Sequence, residues 1–256
     1  MRRGAAWWMA AALVITACGG TGETEARSTA GSPNGLVGML ELIPNTADNR
    51  AFVELEDLAV IRSGASIDLP DDPTDQDQVA SYVMEVTQGP GPSGDKQPLL
   101  RAGLFLQAVG PPVIDDLPQW RTAMGIGPAD LDADALAGRP PDQLIVWRGS
   151  IDPAVVGDAV RSDPDWSAEL RELSHAGIAY WCWTDDPAAF DPERRTPMRP
   201  LGRGGCLAAF DGEAYRTITP EAMEAALEVR AGEATSLADH IPLRLAAEAL
   251  NGEGPY

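Results

Sequence analysis

The side chains of this 256-residue chain best suited to covalent, acid–base or stacking chemistry are three cysteines, two histidines and seven tryptophans. Cys182 falls near the end of one expected strand and Cys206 at the start of the next, with residues 184–205 between them. Antiparallel pairing of those strands would set the two thiols side by side. In an oxidising compartment they could close a disulfide; two buried free thiols are the other reading. Neither His175 nor His240 comes with a partner motif for thiol catalysis, and neither lies in zinc-ligand spacing. The sequence has no Gly-x-Ser-x-Gly elbow, and no carboxylate pair stands out from its acidic background. No catalytic residue, metal ligand or cofactor is therefore expected.

Other motifs invite chemistry and then fall short. In Gly89-Pro90-Gly91-Pro92-Ser93-Gly94-Asp95-Lys96, Asp95 separates the lysine from the glycine it should follow. The two prolines also lack the N–H groups that cradle phosphate, so a surface turn is expected. Asp130-Leu131-Asp132-Ala133-Asp134 alternates acids like a calcium loop. Ala135 stands where such a loop needs glycine and Pro141 where it needs a bidentate glutamate. This segment reads instead as a helix amino terminus with a solvated acidic face. Asp68, Asp71, Asp72, Asp75 and Asp77 read as a solvated loop that could hold Ca²⁺ adventitiously. The insert with Asp185, Asp186, Asp191 and Glu193, then Arg194, Arg195, Arg199 and Arg203, reads as a charged surface or interaction loop. Trp181 and Trp183 share one face of an expected strand. They form either a stacking platform for a sugar or peptide or a core face packed under helices. Trp120, Trp147 and Trp166 read as core or half-core.

The elements that must position these groups follow from periodicity. Residues 51–55 read as a strand and 57–62 as a short helix. Helices are expected over 79–86, 99–109 and 116–124, and a fourth from near Pro128 to Gly138. Residues 143–148 read as a strand. Asp152-Pro153 opens a helix with an N-cap and a first-turn proline. Strands follow over 170–173 and 178–183, then a hairpin over 206–218 turning at Asp211-Gly212. Thr219-Pro220 and Ser236 open the last two helical regions, with Asp239 at capping-box spacing from Ser236. This order predicts an α+β fold: a mixed, largely antiparallel sheet with helices packed on one face. The expected organisation is a leader over 1–17, a flexible tether over 18–34 and one α+β domain over 35–256, with a subdivision near 138–142.

Charge narrows the partners. There are 19 Lys and Arg against 39 Asp and Glu, a formal charge of −20, with one lysine, Lys96. Nucleic acid is excluded as a partner, because phosphate binding needs a cationic surface. Apolar residues make up 44% of the chain, which excludes wholesale disorder and supplies a core.

Arg2 and Arg3 precede an uncharged, mostly apolar run of 14 residues, Gly4 to Ala17. A membrane span needs about 20 residues, so this run fits a secretory leader instead. It ends in Ile15-Thr16-Ala17-Cys18, which resembles the lipobox of bacterial lipoproteins. The resemblance implies diacylglycerol on the Cys18 thiol, cleavage before Cys18, and acylation of the new amino terminus by a chain such as palmitate. The expected place is the cell membrane, lipid-anchored, facing the extracytoplasmic side. The membrane is then a partner through lipid alone.

Ser236-Leu237-Ala238-Asp239 with Arg244 resembles a helix start in a class of uncharacterised exported bacterial proteins built from strand–helix–hairpin–helix units. Residues 42–59 also look like the opening strand of that class. In that class the final helix leads into more protein, so an end at Tyr256 is expected to be either a truncation or a naturally short form. The class carries no activity over. The expected function is a non-enzymatic binding or assembly role at the cell envelope. A ligand-capturing lipoprotein (sugar, peptide or Ca²⁺) is the alternative, and a hydrolase stands behind it.

Overall fold

The computed structural model describes residues 35–88, 117–164, 167–183, 191–194 and 202–253. Seven strands form one sheet: β1 (Val53–Asp57), β2 (Leu131–Ala137), β3 (Leu144–Gly149), β4 (Leu170–His175), β5 (Ile178–Trp183), β6 (Gly205–Phe210) and β7 (Glu213–Thr217). Their spatial order is β1-β2-β3-β7-β6-β5-β4, and every neighbouring pair is antiparallel. Two meanders, β1–β3 and β4–β7, are thus zipped together along β3 and β7. The α+β class and antiparallel sheet expected from sequence are both present.

Eight helices accompany the sheet among the described residues: α1 (Leu36–Leu40), α2 (Ala47–Ala51), α3 (Leu58–Ala65), α4 (Gln76–Gln88), α5 (Leu117–Met124), α6 (Pro153–Ser162), α7 (Pro220–Ala231) and α8 (Ile241–Glu253). Local chemistry fixes their starts. Asp57 accepts from the Val60 N–H, Asp152 from that of Ala154, and Thr219 from that of Ala222. Pro153 and Pro220 occupy the first turn, where no N–H is needed. Asp239 accepts from the Ser236 N–H at 3.0 Å, closing the expected capping box on a short 3-10 turn ahead of α8.

The helices cover both faces of the sheet, not one. The physical cause is legible in β3, where Leu144, Ile145, Val146 and Trp147 are all at most 3% exposed. Alternate side chains of a strand point to opposite faces, so a strand apolar on both must be buried on both. Ile145 and Trp147 join Leu136, Trp183 and Leu207 under α3, α4, α5 and α6; we call this face A. Leu144 and Val146 join Ala135, Cys182, Cys206 and Tyr215 under α1, α7 and α8, on face B.

A second correction concerns residues 128–138. The expected helix is a three-residue 3-10 turn over Pro128–Asp130 followed by strand β2. Ala133, Ala135 and Ala137 recur at period two and pack on face B, and that pattern outweighs the helical propensity of alanine. Residues 138–143, which include the 138–142 segment near which a subdivision was expected, link β2 to β3. The strand expected over 51–55 begins at Val53, after the short helix α2. Gly149 ends β3 where the chain meets β2 closely; a Cβ there would lie 1.9 Å from the Asp130 carbonyl oxygen.

Candidate functional site

At the β4 edge of face B, strands β4 and β5 and the first turns of α7 enclose a cleft of about 370 Å³. Arg171, Leu173, Tyr180, Pro220, Glu221 and Glu224 are among its lining residues. Register explains the grouping. Leu173 and Tyr180 are directly opposed, as are Arg171 and Cys182, so Arg171, Leu173 and Tyr180 share one face. The Thr219 cap and Pro220 fix the start of α7, and Glu221, Glu224 and Glu228 then fall on one side of that helix at spacings of three and four.

The Tyr180 hydroxyl donates to Glu224 Oε1 at 3.0 Å, and His175 Nε2 lies 3.1 Å from Glu228 Oε1. Burial, reinforced by the Glu224 carboxylate, pushes the Tyr180 phenol up to about 12. The phenol is therefore a neutral hydrogen-bond donor across the physiological range. Ser174 and His175 are successive on β4 and point to opposite faces, so they make no nucleophile–base pair. The cleft offers a cation, a phenol and two carboxylates side by side. Such an arrangement is suited to holding a polar or zwitterionic ligand by charge and hydrogen bonding.

The other sequence-selected residues are placed as follows. Cys182 and Cys206 are opposed across β5 and β6, with Cα atoms 4.1 Å apart, and are joined as a disulfide. Both are buried in the core of face B. Trp181 and Trp183 do share a face, but they do not form an open stacking platform. Trp183 lies in the core of face A at 3% exposure. Trp181 is half-buried against α6: the Arg161 guanidinium sits 5.4 Å from its ring centroid and Glu172 accepts from its Nε1 at 3.2 Å. Trp120 and Trp147 are buried in the same core, as expected. Cys18, the Gly89–Lys96 turn, the helix expected over 99–109 and Trp166 lie outside the described residues.

The acidic segments use their carboxylates locally. Asp72 accepts from the Thr74 N–H and hydroxyl, which holds it below the usual carboxylate range. Asp75 accepts from the Asp77 and Gln78 N–H groups at the start of α4. In the 185–203 insert, Arg194 pairs with Glu169 at 2.6 Å. His240 stands directly before α8. Among the described residues no three His, Cys, Asp or Glu side chains are gathered to hold a metal ion, and no helix is long and apolar enough to cross a membrane.

The segment 130–134 departs most from expectation. Of its three acids only Asp132 is partly exposed, so there is no solvated acidic helix face. Asp130 accepts two bonds of 2.6 Å from Arg121, and Asp132 pairs with Arg62. Asp134 is 1% exposed and sits opposite Glu56 of β1. Burial first, then the Glu56 charge, raises its carboxyl well above the ordinary range. Carboxylate pairing was missed because Glu56 and Asp134 are 78 positions apart in sequence. The available signal was the matched alternation of Val53-Glu54-Leu55-Glu56 and Ala133-Asp134-Ala135, which marks two strands with acids on a common face.

Taken together, the fold is a three-layer α+β domain: an antiparallel sheet of two zipped meanders between two sets of helices. No protein-family model, no curated protein and no solved structure matches the chain.

Proposed function

We propose that the protein is an exported lipoprotein, held at the extracytoplasmic side of the cell membrane by acyl chains on Cys18. Its α+β body would serve a non-enzymatic binding or assembly role at the cell envelope. The observation that carries this reading is Ile15-Thr16-Ala17-Cys18 at the end of a 14-residue apolar run after Arg2 and Arg3. A structural disulfide is typical of oxidising compartments outside the cytoplasm, so the Cys182–Cys206 bond supports the same address. Each buried acyl methylene contributes about 0.8 kcal/mol, and two or more chains anchor stably where one does not.

The test is expression with labelled palmitate, followed by membrane fractionation. The wild-type chain is expected to carry label and sediment with membranes. Cys18→Ala is expected to lose the label, retain its leader and run larger on a gel. An unlabelled wild type, or a variant that migrates unchanged, would sink the proposal.

A second reading is favoured by the cleft between β4, β5 and α7, with Arg171 and Glu221 on opposite walls. The body would then capture a small ligand bearing both charges, such as an amino acid or short peptide. A thermal-shift screen of free amino acids and dipeptides should give stabilisation that Glu221→Gln reduces. Equal responses from wild type and variant would remove the cleft from consideration.

A further inference from the structure

Strand β4 ends the sheet. It pairs with β5 on one side, and among the described residues no strand pairs with its other side. The N–H and C=O groups on that side form a template for one more strand. Such edges are commonly blunted by a proline or a bulge. β4 contains no proline, and its register with β5 runs unbroken from Leu170 opposite Trp183 to His175 opposite Ile178. The Glu172 side chain is turned to face A, where it pairs with Arg161 and accepts from Trp181.

The cleft of about 370 Å³ runs along this same edge. Alternation turns the Ser174 side chain to face A, yet Ser174 lines a cleft on face B, so the cleft opens onto the backbone of β4. Helix α7 packs over β4 and forms the far wall. It follows the direction of the strand: Glu224 bonds Tyr180, which stands opposite Leu173, and Glu228 bonds His175, two residues further along. A groove between an edge strand and a helix suits an extended peptide, whose main chain supplies affinity and whose alternate side chains supply specificity. Charge selects the side chain. Glu221 and Glu224 line the groove, and among the described residues no group hydrogen-bonds or ion-pairs with the Glu221 carboxylate. The cation on the wall, Arg171, is already engaged. Leu173 offers an apolar floor for an aliphatic stem.

Resting on the ligand-capturing reading of this cleft, we propose that β4 takes an extended peptide as one further strand. A lysine or arginine of that peptide lies over Leu173 and places its charge at Glu221.

The probe is a capped octapeptide of alternating threonine and lysine, titrated into the full chain with amide exchange read on every strand. Binding is expected to slow exchange at alternate residues of β4 and to leave β3 unchanged. Glu221→Gln is expected to weaken binding about two- to fivefold, the range for an exposed ion pair. N-methylation of the lysines or of the threonines removes one row of donors, so one of these two peptides should fail and the other should bind like the parent. Equal affinity of wild type and Glu221→Gln would overturn the placement of the basic side chain. Binding without slowed exchange on β4, or binding that survives both methylations, would overturn strand addition. Exchange on β4 that slows with protein concentration alone would overturn it too, because a second copy would then occupy the edge. If free lysine stabilises the wild type more than Glu221→Gln and the peptide does not bind, strand addition falls and the cleft stands as a small-ligand site. If neither free lysine nor the peptide acts, both readings fall.

Discussion

Aspartates 130, 132 and 134 alternate along a dozen ångströms of chain, yet they meet an arginine of α5, an arginine of α3 and a glutamate of β1 respectively. Their side chains are the same; only their partners differ. Arg62 shows what such pairing supports. Its guanidinium, 10% exposed, reaches the Leu131 carbonyl at 2.6 Å, the Tyr82 hydroxyl at 3.2 Å and the Asp132 carboxylate. Arg62→Ala would leave a phenol and a carbonyl short of a donor in the core of face A, at about 1–3 kcal/mol for each unsatisfied group. Part of Asp132 reaches solvent, so the carboxylate itself is rescued by water. A net loss of about 2–4 kcal/mol is expected, read as a lower urea midpoint with an unchanged slope. A midpoint within experimental scatter of wild type would show that the network adds nothing.

At the scale of elements, the second half of the chain announced itself and the first half did not. Asp152-Pro153, Thr219-Pro220 and Asp211-Gly212 are local signals, each complete within a few residues, and each starts a helix or turns a hairpin as expected. Residues 131–137 carry no such punctuation. Their alanines suit a helix locally, and only pairing with β1 and β3 makes them a strand. The pairing of Cys182 with Cys206 was legible because it depends on two adjacent strand signals and the insert between them. That bond closes a loop of 24 residues' separation. In the chain-entropy model, opening it destabilises by about 3.5 kcal/mol. The Cys182→Ser, Cys206→Ser double variant is therefore expected to unfold at distinctly lower denaturant. Its far-ultraviolet spectrum should stay native, since six strand pairings do not require the bond. Equal stability of the two proteins would mean that the bond restrains nothing the sheet does not already hold.

For the whole molecule, charge and the proposed lipid anchor would pull in opposite directions. Cleavage before Cys18 would remove two cations and no acids, taking the formal charge from −20 to −22. Such a body would be repelled by an anionic leaflet, so the proposed acyl chains would have to supply the whole attraction. The Cys18→Ala protein, once freed of its leader by design, should accordingly leave anionic vesicles unbound at low salt as well as high. Retention on them would point to a membrane contact made by the body. Residues 19–34, which would separate the proposed lipid from the domain, are rich in Gly, Ser and Thr.

The sequence alone determined the properties that are sums or short-range patterns: the acidic charge, the apolar run from Gly4 to Ala17 ahead of Cys18, the caps and the α+β class. The tertiary structure alone decided which face each strand buries and which acids meet. It also set a phenol, a guanidinium and two carboxylates around one cleft. The reason is range. Caps and turns are satisfied within a few residues, while the juxtaposition of Glu56 and Asp134 depends on cross-strand register, which is fixed only when the whole sheet has closed.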